Sequence, residues 1–328
     1  MVSESGERTT LTAPGSHPAL RLSGLTKRFG DLTAVDDLSL EVRRGEIFGF
    51  LGPNGAGKTT TIKMMCGLLR PDGGTVEIDG RGIDPGSPAA RRLIGLAPQS
   101  IVLWESLTCR EQIEFMGRIY GLNAPRARRR GRELLEAFGL EDKRDKLGKT
   151  LSGGMQRRLN IALALVHEPE LLFLDEPQAG LDPQSRLLVR DLIHSLAGRA
   201  TVILTTHDME EAEKLSDRVC IIDHGRLLVL DTVAGIKNRL GQGDLVEVEI
   251  DGDIGVELLP HLPPAWSESR RVNVYGRTLS LVSDESVSIL PEILQVIESR
   301  GLRLASLRLR QKTLEDVFIH LTGRGLRE

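Results

Sequence analysis

The amino-acid sequence predicts an α/β fold, a helix-covered sheet with a phosphate-binding loop at its centre, followed by a small α+β domain. Three observations predict it. The run Gly52-Pro53-Asn54-Gly55-Ala56-Gly57-Lys58-Thr59 stands between an apolar stretch, Ile47 to Leu51, and a segment with apolar residues at Ile62, Met65, Cys66 and Leu69. This is the strand–loop–helix context that such a loop requires. Two further apolar runs, Leu171 to Leu174 and Val202 to Leu204, end in Asp175-Glu176 and, shortly after, His207-Asp208. Beyond Gly241 the pattern changes to alternating strands and capped helices without phosphate-loop chemistry.

The loop's composition follows from what it has to hold. Its glycines let several backbone N–H groups turn toward one anion, and the helix start behind them adds unpaired donors and a positive dipole end. Lys58 can then reach β- and γ-phosphates, and the Thr59 hydroxyl can ligate Mg²⁺. A plain glycine-rich turn between strand and helix is the competing reading.

At 328 residues the chain is long enough for two domains. Its net charge of -3 gives no argument for nucleic-acid binding. Cys66, Cys109 and Cys220 are widely spaced, with neither paired nor metal-ligand spacing, which suggests burial in a reducing compartment. No stretch approaches the roughly 18 to 20 apolar residues of a membrane span. Residues 1–18 are polar and of mixed charge, so a flexible tail is expected there rather than a signal peptide.

From Leu20 the chain reads as strands, with Leu22, Leu25 and then Leu38, Leu40 and Val42 alternating against polar neighbours. Phe29, in a polar loop between them, is either an adenine-stacking platform or a local core anchor. Pro71 to Gly74 stops the chain, Val76 to Ile78 reads as a strand, and a run from Leu93 to Ala97 leads to Pro98-Gln99. Thr108 and Glu111 form a capping box before Ile113, Met116, Ile119 and Tyr120 at near-helical spacing. The arginines from Arg126 to Arg132 read as the solvated face of another helix, since no aromatic residues interleave with them.

Leu151-Ser152-Gly153-Gly154-Met155-Gln156 opens a helix with Met155, Leu159, Ala162, Leu163 and Val166 expected on one side. Ser152 is a good N-cap, but a glycine in a helix costs about 1 kcal/mol, which suggests that something approaches this backbone. A second anion is one reading and a capped helix with a flexible start the other. Asp175 and Glu176 end an apolar strand, where a carboxylate lies beside the phosphate loop of a doubly wound sheet. Asp175 is therefore the expected anchor for Mg²⁺ and Glu176 the candidate base for an attacking water, against the reading of a solvated loop entry. Asp182-Pro183 marks a helix start. His207, after a buried run, reads equally as structural or functional.

In the C-terminal part, Leu245 to Ile250 and Thr278 to Val282 alternate as strands after the link Gly241-Gln242-Gly243-Asp244. Val287, Leu290, Leu294 and Ile297 mark a helix that stops at Gly301, with Pro291 kinking it or shifting its start. Leu302 to Leu309 reads as a strand, and Thr313 to Asp316 caps a last helix. A small domain with its own modest core and a regulatory or assembly role is expected from residue 241 to 328, against the reading of a passive extension that only covers cassette surface.

Taken in order, the motifs resemble the nucleotide-binding subunit of an ABC transporter. The phosphate loop is one. Gln99 is similar to the family's Q-loop glutamine, Leu151 to Gln156 to its signature, Leu171 to Glu176 to its Walker B strand, Ala179 to Asp182 to its D-loop and His207 to its switch histidine. The resemblance implies a P-loop NTPase ABC cassette over residues 19–240, with a helical subdomain over about 100–166 that docks on membrane subunits. It implies that two copies pair head to tail around two ATP molecules. Gly52, Pro53, Asn54, Gly55, Ala56, Gly57, Lys58, Thr59 and Thr60 would bind one ATP with Phe29 on its adenine, and Ser152, Gly153, Gly154 and Asp182 would close the partner's. Lys58, Gln99, Glu176 and His207 take the catalytic roles, and Thr59, Gln99 and Asp175 hold Mg²⁺.

Gln178, where the family usually has Thr or Ser, and Met155 depart from the pattern. The closing Leu314-Glu315-Asp316-Val317-Phe318 and Leu321-Thr322-Gly323 resemble the ATPase subunits of daunorubicin-resistance drug exporters. The resemblance therefore implies an ATPase on the cytoplasmic face of a membrane, powering a separately encoded permease that exports a drug or lipid-like substrate. Import stays open, because a cassette does not encode direction. An ATPase acting on nucleic acid or ribosomes is disfavoured: no sustained heptads separate phosphate loop from signature, and the chain has one cassette.

Overall fold

A computed structural model describes residues 17–81, 87–241, 243–251, 272–275, 277–283, 288–299 and 301–322. The expected N-terminal tail lies almost wholly outside the described residues, as do Gln242, Val287 and Gly323. β1 (Leu20–Phe29) and β2 (Leu32–Val42) pair antiparallel before β3 (Ile47–Leu51), the phosphate loop and α1 (Lys58–Met65). β4 (Gly73–Ile78) joins the first pair in the order β2-β1-β4. After α2 (Pro88–Leu93) and β5 (Ile94–Ala97) come three helices, α3 (Cys109–Ile119), α4 (Ala124–Ala137) and α5 (Gly153–Leu165). β6 (Leu171–Asp175), α6 (Pro183–Ser195), β7 (Thr201–Thr206), α7 (Met209–Leu215), β8 (Arg218–Asp223), β9 (Arg226–Thr232) and α8 (Val233–Asn238) follow.

The central sheet has the order β5-β6-β7-β3-β8-β9. Its strands run parallel except at the β8–β9 edge. β3, β6 and β7 are buried along their whole length, as parallel strands covered on both faces must be. Their carboxyl ends therefore open side by side, and β3, β6 and β7 deliver the phosphate loop, Glu176 and His207 to one edge.

The C-terminal part holds β10 (Asp244–Asp251), β11 (Val272–Tyr275), β12 (Thr278–Ser283), α9 (Leu290–Ser299), β13 (Arg303–Arg310) and α10 (Leu314–Thr322). Its antiparallel sheet has the order β11-β12-β10-β13. Val246, Val248, Ile250, Leu279, Leu281, Ile293 and Ile297 form a core of its own. The last helix packs elsewhere. Leu314, Val317 and Phe318 share a cluster with Met209 and Ala212 of α7 and Ile236 of α8. Glu213 on α7 accepts a hydrogen bond from Leu314 N (2.5 Å), so the central fold itself supplies a cap for α10.

Several local expectations shift. The apolar run at Leu93 is split, because Ser87 accepts a hydrogen bond from Ala90 N and Pro88 starts α2, which ends at Leu93. Gly73 and Gly74 already belong to β4 rather than to the turn before it. Pro291 sits in the first turn of α9, where its missing N–H costs nothing, so it sets the start and makes no kink. Phe29 ends β1 instead of lying in a loop. α5 is not one-sided: every residue from Arg157 to Leu165 is buried, because the helix lies between α3, α4 and the central sheet. Sequence reading also passed over α7, β8, β9, α8 and β11.

Candidate active site

The loop between β3 and α1 is shaped by close backbone approaches. A Cβ on Gly57 (φ 102°) would lie 2.4 Å from Ala34 O, and one on Gly52 would lie 2.4 Å from Ile222 O. No side chain caps α1. Its first N–H groups are therefore left for an anion, as a phosphate cradle demands. Lys58 is buried, and its ammonium donates to Gly52 O (2.7 Å) and Pro53 O (3.0 Å), 3.9 Å from Glu176 Oε1. Burial pulls its pKa down, and the charges of Glu176 and Asp175 act against that pull.

Thr59 Oγ1 donates to Asp175 Oδ2 (3.1 Å), and Thr205 Oγ1 donates to Asp175 Oδ1 (2.5 Å). The buried Asp175 thus faces the first turn of α1 across the strand ends. Glu176, also buried, has φ 48°, the left-handed region that costs a side-chain-bearing residue roughly 1–2 kcal/mol. Glu176 N donates to Thr205 O (3.1 Å) and Thr205 Oγ1 (3.0 Å), which fixes this turn. The carboxylate lies 3.0 Å from His207 Nδ1 through Oε1 and 3.5 Å from Gln99 Nε2 through Oε2. Lys58, Thr59, Gln99, Asp175, Glu176 and His207 are therefore brought to one place, from four separate strand ends.

The remaining candidates stand apart. Ser152 caps α5 by accepting from Met155 N (3.3 Å), and Asp182 caps α6, its Oδ1 accepting from Ser185 N (2.9 Å) and its Oδ2 from Ser185 Oγ (2.7 Å). The two glycines after Ser152 differ. A Cβ on Gly154 would meet Ser185 Oγ at 2.5 Å, so that glycine is required by packing of α5 on α6 within the chain, whereas Gly153 has nothing within 4 Å. Phe29 is 50 % exposed, which excludes the core-anchor reading, and Lys27 Nζ lies 5.5 Å from its ring centroid.

Three further groups escaped the sequence reading. Thr205 holds both Asp175 and Glu176, although within a strand it reads only as a β-branched residue. Arg157, on α5, is buried against the same strand end. Thr206 Oγ1 donates to Glu211 Oε2 (2.7 Å) on α7. Burial, reinforced by Asp208 and Glu176, pushes the Glu211 carboxyl up to about 7 despite that hydrogen bond.

Comparison with known proteins decides what this constellation belongs to. Residues 35–179 match the ABC transporter family. The daunorubicin resistance ATP-binding protein DrrA3 of Streptomyces coeruleorubidus is 42% identical over 310 residues, covering 93% of this chain and 96% of that protein. The chain belongs to the ATP-binding subunits of ABC transporters. It is accordingly an ABC ATPase, with the P-loop fold of that family. A Nod factor export ATP-binding protein I from Ralstonia nicotianae is 41% identical over 315 residues (96% of this chain, 97% of that one). The linearmycin resistance ATP-binding protein LnrL of Bacillus subtilis is 37% identical over 311 residues (94% and 100%). Among solved structures, an ATP-binding subunit of an ABC transporter superposes with TM-score 0.63 at 32% identity, over 68% of this chain and 93% of its own. In this ABC ATPase no helix among the described residues is long and apolar enough to cross a membrane.

Proposed function

We propose that this ABC ATPase drives export of a drug or lipid-like molecule through a separately encoded membrane permease, with Glu176 as the base of hydrolysis. The observation that carries the catalytic part is the convergence on Glu176 of Lys58, Gln99 and His207. Export rests on relatives named for daunorubicin resistance and Nod factor export, which match nearly the whole chain. The cassette over residues 19–240 sits at the cytoplasmic face of the membrane, its helices over about 100–166 toward the permease. A solved relative, cbiO1 of Clostridium perfringens, is part of the ABC transporter complex cbiONQ.

Each residue's task follows from its surroundings. Lys58 compensates the triphosphate charge from a buried position, where a charge acts more strongly than in water. Glu176 accepts the proton of the water that attacks the γ-phosphorus, and His207, 3.0 Å from it, orients the carboxylate and reaches toward the γ-phosphate. The Thr59 hydroxyl and Asp175 carboxylate, 3.1 Å apart, are hard oxygen donors that fit Mg²⁺, and the amide oxygen of Gln99 would add a third. When bound, that ion neutralises charge on the phosphates. Thr60 closes the phosphate site, and Phe29, half exposed, stacks on adenine. Ser152, Gly153 and Gly154, with Asp182, face the ATP of a second copy in a head-to-tail homodimer. Residues 241–328 hold this assembly in register.

Glu176→Gln tests the central claim. It should keep ATP affinity within about twofold while turnover falls at least about a hundredfold, and the variant should collect as an ATP-bound dimer. Retained turnover, with identical size-exclusion profiles with and without ATP, would remove Glu176 from its role. Direction is read separately, from efflux in cells that express the chain with its permease.

A further inference from the structure

Arg157 lies in the second turn of α5, and its side chain points inward, 2 % exposed on a residue basis. Among the described residues its guanidinium forms no ion pair with a carboxylate, although the charges of Asp175, Glu176 and Glu211 act on it. Instead Nε donates to Pro177 O (3.1 Å), Nη1 to Pro98 O (2.6 Å) and Gln99 O (3.0 Å), and Nη2 to Asp175 O (2.6 Å) and Glu176 O (2.5 Å). A guanidinium carries five N–H donors in a planar fork, and here each one takes a different carbonyl. The carbonyls belong to two separate segments, one ending at Gln99 and the other spanning Asp175 to Pro177.

These contacts bear directly on how Glu176 is aimed. Its peptide units on both sides are held, since the carbonyls of Asp175 and Glu176 both accept from Nη2 while Glu176 N donates to Thr205. Between those restraints the residue stays at φ 48°, a conformation that an unrestrained glutamate leaves readily. The same fork fixes the backbone of Gln99, whose amide lies 3.5 Å from the Glu176 carboxylate.

We propose that Arg157 is a positioning residue for hydrolysis: it locks the strained turn at Glu176 and the backbone at Gln99 into one unit, so that the base is held ready beside the phosphate loop. This rests on the reading of Glu176 as the base. Lysine cannot replace it, because an ammonium has three donors and no planar fork, so at least two of the five carbonyls lose the donor that residue 157 gives them. Glutamine offers two donors and turns an acceptor oxygen toward carbonyls.

The test uses the full chain, with ATP affinity, turnover and thermal unfolding measured for Arg157→Lys and Arg157→Gln. The expected result is ATP affinity within about threefold of wild type and kcat lower by roughly ten- to a hundredfold in both, the scale of a base displaced by about an ångström. Because the residue acts through the base, adding Arg157→Gln to Glu176→Gln should lower the residual single-turnover rate by less than about threefold. Wild-type kcat in Arg157→Lys, or full additivity in the double variant, would overturn the proposal. So would parallel loss of ATP binding and folding in both single variants, since Arg157 would then be a fold stabiliser only. If Glu176→Gln alone turned over normally, the base assignment would fall independently of anything seen at Arg157.

Discussion

At the start of α1 the chain enters through Gly57 in the left-handed region with no side chain on the free N–H groups, whereas at the start of α5 Ser152 folds its hydroxyl onto Met155 N. Both ends are glycine-rich, and their glycines answer to different constraints. At Gly57 and Gly52 a Cβ would strike backbone carbonyls of neighbouring strands. At Gly154 it would strike the Ser185 side chain of α6, and at Gly153 nothing is near. The first helix end is a complete phosphate cradle with its own buried lysine. The second is already capped and leaves one open glycine, Gly153, with nothing within 4 Å of where its Cβ would stand.

The largest expected effect comes from breaking the complete end. Lys58→Ala should lower ATP affinity by roughly ten- to a hundredfold, the value of a buried charge-assisted contact, and take turnover with it. A fluorescent ATP analogue titrated against the variant measures this, and near-normal affinity would deny Lys58 its place. Ser152→Arg probes the other end: ATP affinity should stay within about twofold while turnover falls at least about tenfold, because the lost contact belongs to the partner's site. Mixed with Lys58→Ala protein, it allows at most one complete site per dimer, so partial activity should return. Wild-type turnover in Ser152→Arg alone would defeat the head-to-tail arrangement.

α7 supplies a third helix start, where Asp208 caps and accepts from Glu211 N (3.1 Å). The Glu211 carboxyl stands at about 7 in the fold against 4.5 for a free one, so the folded protein keeps a proton that the unfolded chain releases. The stability tied to that proton is complete below about pH 4.5 and is lost as the pH rises through about 7. Glu211→Gln cannot ionise and keeps an acceptor for Thr206. Its thermal stability should overtake that of wild type between pH 5 and pH 8, by up to about 3 kcal/mol. A constant difference across that range would show that Glu211 does not titrate there. Smallest is the contrast between adjacent glycines. Gly154→Ala should cost about 1–3 kcal/mol by overpacking against Ser185, and Gly153→Ala should change stability by less than about 1 kcal/mol. Equal unfolding midpoints for the two would refute the packing account.

Much of the site was legible in sequence because its parts are local. A phosphate loop needs its glycines, lysine and threonine within one turn, and a carboxylate that ends a buried parallel strand has only one edge of the sheet to occupy. Caps were legible for the same reason: the hydrogen bonds of Thr108, Ser152, Asp182 and Thr313 reach only three residues along the chain. Helix and strand boundaries failed where a signal was passed over, as at Ser87-Pro88, or where burial on all sides erased the period, as in α5.

The sequence by itself thus determined the phosphate loop, the capped helix starts, the buried strands and the family, since these depend on residue type and short spacing. Only the tertiary structure decided that Thr205 holds Asp175 and Glu176 together, that Arg157 gives all its donors to backbone carbonyls, that Gly154 is required by Ser185 and that α10 joins the core of α7. By residue type alone Arg157 is a cation and Thr205 a β-branched residue, and neither was singled out in sequence. Their partners lie tens of residues away along the chain, and no local rule carries which carbonyl or carboxylate folding will place beside them.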